Sequence, residues 1–494
     1  MHTSHTDWKA RLTVAWLIVL TSGLIGPALA GGGAEDAAVR GATLCCRPNL
    51  PVEGEDVVLT FRAGAEPQSP ASAAVTLEIR ASDGTRLLKR DFPSPGADGR
   101  DASLSWRPRN NGLYRAVASA AGEPLAQLDL PVVTSARGLD LVWYRHSPWI
   151  RWATVIASAP EEDVPLLRRR GIKALKWTWG SNHPALREDR LPLEQCAAEA
   201  ERYYGIPDNF QFDGYGMDEF GGYPQTQGEE RAHAWLRGLI EARRRFPEDF
   251  VAAAWHGGGV RDEWVGLYKQ AADLLLLEAY EMYYAPRELG TENIFEDLRG
   301  RLIAPRGADL FTRAYRAPCK VLLSLDLCGK DDTYGDAGEL EQVIRFIRRE
   351  FPEMRGIAFF NGSDATEDME RAADRLCFDY FIRPVITFQP NSLWLDRFSN
   401  PPHIVVALSN IGGMDGGPVT VRLKVNGRVV GTQQVERVPA GGSRLTNRAF
   451  ARWQWSPRQS GVCELEAQIL AAPGSAVLNG RVRETRWIAA GDGG

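Results

Sequence analysis

FVAAAWHGGG (250–259), RDEWVGLYKQA (261–271) and DLLLLEAYEMYY (273–284) follow one another, and their order decides the fold. The outer two are short apolar runs that suit buried strands, and the middle one carries helical spacing. Apolar strands alternating with amphipathic helices imply a parallel sheet with helical crossovers. The alternation extends both ways from this stretch. Upstream lie ATVIAS (153–158), EEDVPLLRRRG (161–171), IKALKWTWG (172–180), LPLEQCAAEAERYYG (191–205), FQFDGYGMDEF (210–220) and EERAHAWLRGLIEARRRF (229–246). Downstream lie KVLLSLDLCGK (320–330), GELEQVIRFIRREF (338–351), GIAFFNGSD (356–364) and EDMERAADRLCFDYFI (367–382). Seven strands emerge this way. LDLVWYR (139–145) is a candidate eighth, although no helical stretch separates it from ATVIAS. The pattern predicts a TIM-type (β/α) barrel over 139–383, with an open doubly wound sheet as the alternative. No glycine-rich phosphate loop follows any strand, which weighs against a nucleotide site.

Both flanks change period. Over 41–135, short alternating segments such as DVVLTFRAG and AVTLEIRAS are separated by EGED, SDGT and RNNG. That rhythm predicts an immunoglobulin-like β-sandwich. Over 384–490, HIVVALSNIG, VTVRLKVNGRVVGTQQVERV and CELEAQIL repeat it, with Asn426-Gly427 as a hairpin turn, so a second sandwich is expected. The whole is a multidomain chain: a central α/β barrel flanked by two β-sandwiches. Residues 1–30 read as a signal peptide. Lys9 and Arg11 precede an apolar run from Leu12 to Ile25, and Ala28-Leu29-Ala30 supplies the cleavage site. A secreted or periplasmic location follows, with no membrane span in the mature chain.

A net charge of -5 gives no basic field, so nucleic acid is not an expected partner. The seven cysteines include no CxxC pair, which disfavours structural zinc. They are enough for a few disulfides, with Cys45 and Cys46 bridging elsewhere or staying free rather than joining each other. The histidines beyond the signal segment never stand at ligand spacing. No metal and no cofactor are expected. Asp326 with Asp331 and Asp332 offers oxygen ligands that would suit calcium, but an acidic solvated loop explains them as simply. No Gly-x-Ser-x-Gly elbow appears.

In such a barrel the site lies at the C-terminal ends of the strands. Those ends carry Trp177 and Trp179; Asp213, Asp218 and Glu219; Trp255 and His256; Glu278, Tyr280 and Glu281; and Asp326. Carboxylates supply general acid, base or nucleophile, and aromatics offer flat faces to a sugar ring. FDGYGMDEFGGYP (212–224) concentrates the signal, because acids at a strand end framed by glycines are costly unless used. A purely structural reading also exists: Asp218 would cap the next helix and Glu219 would be solvated. Glu278 ends a four-leucine run with Tyr280 on the same face. Structural ion pairs also place acids at such ends. Trp177, Trp179, Asp213, Trp255 and Tyr280 are expected to line one pocket with the acids, although strand tryptophans are often core. The expected activity is glycoside hydrolysis of an oligo- or polysaccharide. The alternative is a non-catalytic carbohydrate- or surface-binding protein on the same scaffold.

The consecutive pair Asp218-Glu219 at a barrel strand end resembles the catalytic pair of retaining N-acetylhexosaminidases that use substrate-assisted catalysis, within the TIM-barrel glycoside hydrolase superfamily. The resemblance implies Glu219 as general acid/base and Asp218 as the residue orienting a 2-acetamido group that attacks in place of an enzyme nucleophile. The FDG opening is similar to the chitinase-type barrel motif, which has acids where this chain has Gly216 and Phe220. In a two-carboxylate mechanism Glu278 would be the nucleophile, or would activate water, with Glu281 as the fallback.

Overall fold

A computed structural model describes residues 43–62, 74–93, 101–134, 139–179, 191–205, 211–218, 229–255, 265–278, 321–327, 336–362, 364–399, 401–442, 447–455 and 460–488. Seven strands come first: β1 (Thr43–Arg47), β2 (Val57–Arg62), β3 (Val75–Ala81), β4 (Arg86–Phe92), β5 (Ala102–Trp106), β6 (Gly112–Ala120) and β7 (Glu123–Val132). They form a three-stranded sheet, β1-β2-β5, and a four-stranded sheet, β4-β3-β6-β7. Period-two alternation turns Val57, Leu59 and Phe61 of β2 into a core shared with Leu77, Ile79, Ala116 and Leu130 of the other sheet. Tyr114 donates its hydroxyl to the Asn110 carbonyl at 2.8 Å, pinning the entry to β6.

The central parallel sheet comprises β8 (Asp140–Trp143), β9 (Val155–Ile156), β10 (Lys173–Ala174), β11 (Lys176–Trp179), β12 (Gly214–Asp218), β13 (Phe250–Trp255), β14 (Leu274–Glu278), β15 (Val321–Asp326) and β16 (Gly356–Phe360). Its order is β10-β9-β8-β16-β15-β14-β13-β12-β11. The two ends of that path, β10 and β11, are successive pieces of one extended stretch broken only at Leu175. Leu175 N–H donates to the Ile156 carbonyl on one side, while Asp213 N–H donates to the Ala174 carbonyl on the other. The sheet therefore returns on itself as a ring of eight strands, and an open sheet is ruled out by this hydrogen-bond circuit. The stretch 139–145 does contribute a strand, pairing β8 with both β16 and β9.

Six helices are described around it: α1 (Val164–Arg169), α2 (Leu193–Tyr204), α3 (Glu229–Arg245), α4 (Val265–Ala271), α5 (Ala337–Glu350) and α6 (Glu367–Cys377). Their starts are capped where the sequence supplies the residue. Asp336 accepts from the N–H groups of Gly338 and Glu339, and Thr366 accepts from Met369 N–H. No helix joins β8 to β9. The connection 144–154 instead buries Ile150 and Trp152 in the outer core. Asp374 of α6 holds it by accepting from the N–H groups of Arg151 and Trp152, both at 2.9 Å.

Burial pushes the Asp374 carboxyl up from 3.8 to about 7, against the opposing pull of those two N–H groups and of Arg151 and Arg170. The native state thus holds this proton more tightly than the unfolded chain does. Its contribution to stability is complete below about pH 4 and is lost as pH rises through about 7. Asp374→Asn keeps an acceptor for both N–H groups and removes the titration. Between about pH 4 and 8 the variant's Tm should rise relative to wild type, by the equivalent of a few kcal/mol. Parallel Tm curves would show that the proton is held elsewhere.

The remaining strands are β17 (Val385–Thr387), β18 (Leu393–Asp396), β19 (His403–Asn410), β20 (Val419–Val425), β21 (Arg428–Val435), β22 (Arg448–Gln454), β23 (Gly461–Ala471), β24 (Ala476–Val477) and β25 (Arg481–Ile488). They make a five-stranded sheet, β18-β19-β17-β24 with β22 on β19, facing a four-stranded sheet, β21-β20-β23-β25. Ile404, Val406, Val421, Leu423, Leu465 and Trp453 fill the space between. The fully buried guanidinium of Arg348 joins this sandwich to the barrel, donating to the carbonyls of Tyr380, Met354 and Ile411. Asn49 does the same for the first sandwich, donating to the carbonyls of Arg151 (2.7 Å) and Ala153 (2.9 Å).

Cys45, Cys46, Cys196, Cys377 and Cys463 are unbridged, and burial pushes the Cys46 thiol up to about 12. Cys319 and Cys328 lie outside the described residues, as does the proposed signal segment.

Candidate active site at the barrel mouth

Alternation within the strands sorts side chains into two shells. Leu275, Leu277, Leu323, Leu325, Tyr215, Met217, Ile357 and Phe359 belong to the outer core beneath the helices. Val142, Val155, Ala157, Leu175, Ala252, Leu274, Leu276, Leu322 and Ala358 fill the barrel interior, with Trp177 and Phe250 packed against them. By the two-residue period the inward row of β14 runs Leu274, Leu276, Glu278, and that of β15 runs Leu322, Ser324, Asp326. The inward row of β12 is Gly214, Gly216, Asp218. Three carboxylates therefore end three inward rows, all at the C-terminal face of the parallel sheet, where barrel sites lie. Glu278 is 7 % exposed and Asp326 2 %, while Asp218 is partly buried. Asp326 stands one inward position beyond Ser324, the register partner of Glu278 on the neighbouring strand. That places the two Cα atoms about 8 Å apart.

An aromatic layer lies among them. Tyr144 meets Trp177 edge-on at 4.7 Å between ring centroids and Phe360 in a tilted contact at 4.6 Å. The Arg145 guanidinium lies over Tyr144 at 5.3 Å. Room for the indole depends on Gly216, since a Cβ there would stand 2.0 Å from the Ala157 carbonyl oxygen and 2.9 Å from Trp177 Cε3. Gly216→Ala is expected to cost at least ~1–3 kcal/mol, because the carbonyl cannot yield as a flexible side chain would. It should also displace Trp177, which a drop in Tm together with a shifted tryptophan emission would register.

Asp213 is a correction. It precedes β12 and so lies at the N-terminal end of the barrel, opposite the other acids. There it forms an ion pair with Arg168 at 3.0 Å and accepts from Ala174 N–H at 2.9 Å. Asp273 repeats the device two crossovers later, with Arg243 at 2.8 Å and Val251 N–H at 2.9 Å. Each acid ties the start of its strand to a helix and to a neighbouring strand. Asp213 is a brace at the base of the barrel and cannot line a pocket at its mouth.

Trp179 and Trp255 end β11 and β13, but their side chains lie outside the described residues, as do Glu219, His256, Tyr280 and Glu281 in full. Asp218, Glu278 and Asp326 each end a strand at the mouth, and Trp177 packs against the interior cluster below them. Tyr144 and Phe360 escaped the reading of the sequence, although Phe360 ends β16 at an inward position and Tyr144 follows β8 on its inward row. So did the pair His146–Asp163, whose Nδ1 and Oδ2 atoms are 2.9 Å apart beyond the ends of β8 and β9. Asn361 follows β16 and is used structurally. Its amide accepts from Arg145 N–H and donates to Glu370, clamping the last strand to the first.

No protein-family profile matches the sequence, and no curated protein matches it. Among solved structures, the chain is similar to Bacteroides uniformis β-glucuronidase 2 covalently bound to cyclophellitol-6-carboxylate aziridine, at 12 % identity and TM-score 0.31, covering 91 % of this chain and 61 % of that one. It is similar to a putative β-galactosidase from Bacteroides fragilis at 12 % identity and TM-score 0.30, covering 91 % and 73 %. It is also similar to a β-glucuronidase of Parabacteroides merdae at 11 % identity and TM-score 0.30, covering 90 % and 63 %. The chain thus spans 61 % and 63 % of the length of the two β-glucuronidases. Likeness at this level leaves the chemistry to be read from the site's own residues.

Proposed function

We propose that the protein is an exported glycoside hydrolase that cleaves an oligo- or polysaccharide by carboxylate acid/base catalysis. The observation that carries the reading is the convergence of Asp218, Glu278 and Asp326 on one face of a parallel barrel, beside the aromatic layer of Tyr144, Trp177 and Phe360. A sugar ring has apolar faces for the aromatics and polar edges for the acids. Glu219 acts as general acid/base beyond the end of β12. Glu278 is its partner if the enzyme supplies the nucleophile or activates water, and Asp218 if a substrate acetamido group attacks. Asp326, Trp177, Trp179, Trp255, His256, Tyr280 and Glu281 form the sugar-binding surround. Residues 1–30 direct the chain to a secreted or periplasmic location.

The test is a screen of the purified mature protein against aryl glycosides and natural glycans, followed by carboxylate separations in a ligand-bound crystal structure. Turnover of at least one glycoside is expected, with the paired carboxyls ~5–5.5 Å apart for retention or ~6.5–9.5 Å for inversion. Oligosaccharide binding without any turnover would sink the enzyme reading and leave a carbohydrate-binding barrel.

A further inference from the structure

The outer face of the sheet β21-β20-β23-β25 is unlike the rest of this acidic chain. We propose that it binds an acidic polysaccharide chain, running along β25. On that face Val462 pairs with Trp487, Glu464 with Thr485, Glu466 with Arg483 and Gln468 with Arg481. Arg422 and Lys424 of β20 continue the rows beside Gln468 and Glu466. Four cations thus meet two carboxylates on a protein whose net charge is -5. Glu466 takes up Lys424, Arg481 and Arg483 at 3.1, 2.8 and 2.6 Å. Both arginines nevertheless stay about half exposed, with donors left over. Arg422 spends its Nη2 on Gln468 at 2.7 Å, and its buried Nε has no acceptor among the described residues.

The apolar end of the face is as unusual. Trp487 is 61 % exposed and Val462 67 %, although their neighbours Ile488 and Cys463 point into the core. Phe398 is fully exposed, and Arg397 beside it donates to the Trp487 carbonyl at 3.1 Å, which brings that corner to the end of β25. Along β25, Trp487, Arg483 and Arg481 share one face over about 20 Å. That is too long for one sugar and suits several. A pyranose ring can lie on the indole while acidic groups further along the chain meet the arginines. Because β25 edges its sheet, the row is open on one side.

The experiment is native affinity electrophoresis of the full mature chain in gels containing polygalacturonate, dextran or neither. It reads binding and does not depend on turnover at the barrel. Retardation by polygalacturonate alone is expected, weakening as salt is raised. Trp487→Ala should raise the apparent Kd by about tenfold with Tm unchanged. Arg481→Gln with Arg483→Gln should abolish retardation. If that pair unfolds by stranding Glu466, Arg422→Gln leaves Glu466 untouched and should still weaken binding several-fold. Four results would each overturn the proposal: no retardation, equal retardation by dextran, unchanged binding in Trp487→Ala, or tighter binding of a thymidine oligonucleotide. A dimer that Trp487→Ala dissolves would instead assign the face to a second copy, and overturn it as well.

Discussion

Glu219→Gln is expected to slow hydrolysis of glycosides with poor leaving groups by about 10²–10⁴-fold and to spare activated aryl glycosides. The reason is placement. Glu219 follows Asp218, the last residue of β12, at the face where Glu278 and Asp326 also end their strands. A neighbouring negative charge such as that of Asp218 favours the protonated form of a carboxyl, as proton donation to a leaving oxygen requires. A leaving group that is already a good anion needs no such proton, so the two substrate classes separate the acid's role from general damage. Wild-type rates on a natural glycan would remove Glu219 from the mechanism.

Glu278→Gln and Asp218→Asn divide the two versions of that mechanism between them. If the enzyme supplies the nucleophile, or the base that activates water, Glu278→Gln should abolish turnover and Asp218→Asn only impair it. If a 2-acetamido group attacks, the order reverses, and activity should require that group on the substrate. Both substitutions preserve volume, and Glu278 is buried at the end of a leucine row, so packing is retained while charge is removed. Equal, modest losses in both variants would point to electrostatic support of a third group, for which Asp326 is the buried candidate.

Much of this was readable from periodicity. The run Leu274–Glu278 announces a buried strand by composition alone, and helix α5 by its spacing. The eighth strand was visible at 139–145. The missing helix after it obscured its place, because 144–154 buries Ile150 and Trp152 without helical period. The seam at Leu175 was not readable, since a change of partner along one extended stretch leaves no mark on hydrophobicity. Asp213 was misplaced for a related reason. FDGYGMD carries an acid at each end of a five-residue strand, and composition does not say which end faces the mouth. The structure starts the strand at Gly214, whose φ of +144° and close approach to Phe250 only glycine allows. Tyr144 and Phe360 carry no such mark, because an aromatic at a strand end is as common in a core and its inward parity shows only once the register is known.

The ring joins Gly356 to Asp140, so the first strand waits for the last. A chain emerging from a ribosome or a translocation pore must therefore keep β8 unpaired on that side until more than two hundred further residues have followed. Contacts of such separation form late, because loop closure must come before any gain from the pairing. Until then β8 and β15 each present a bare edge, the kind of surface that recruits other unfinished chains. Truncation before Gly356 should accordingly give aggregates rather than a smaller barrel. The interval between emergence and ring closure is where chaperones would be needed most.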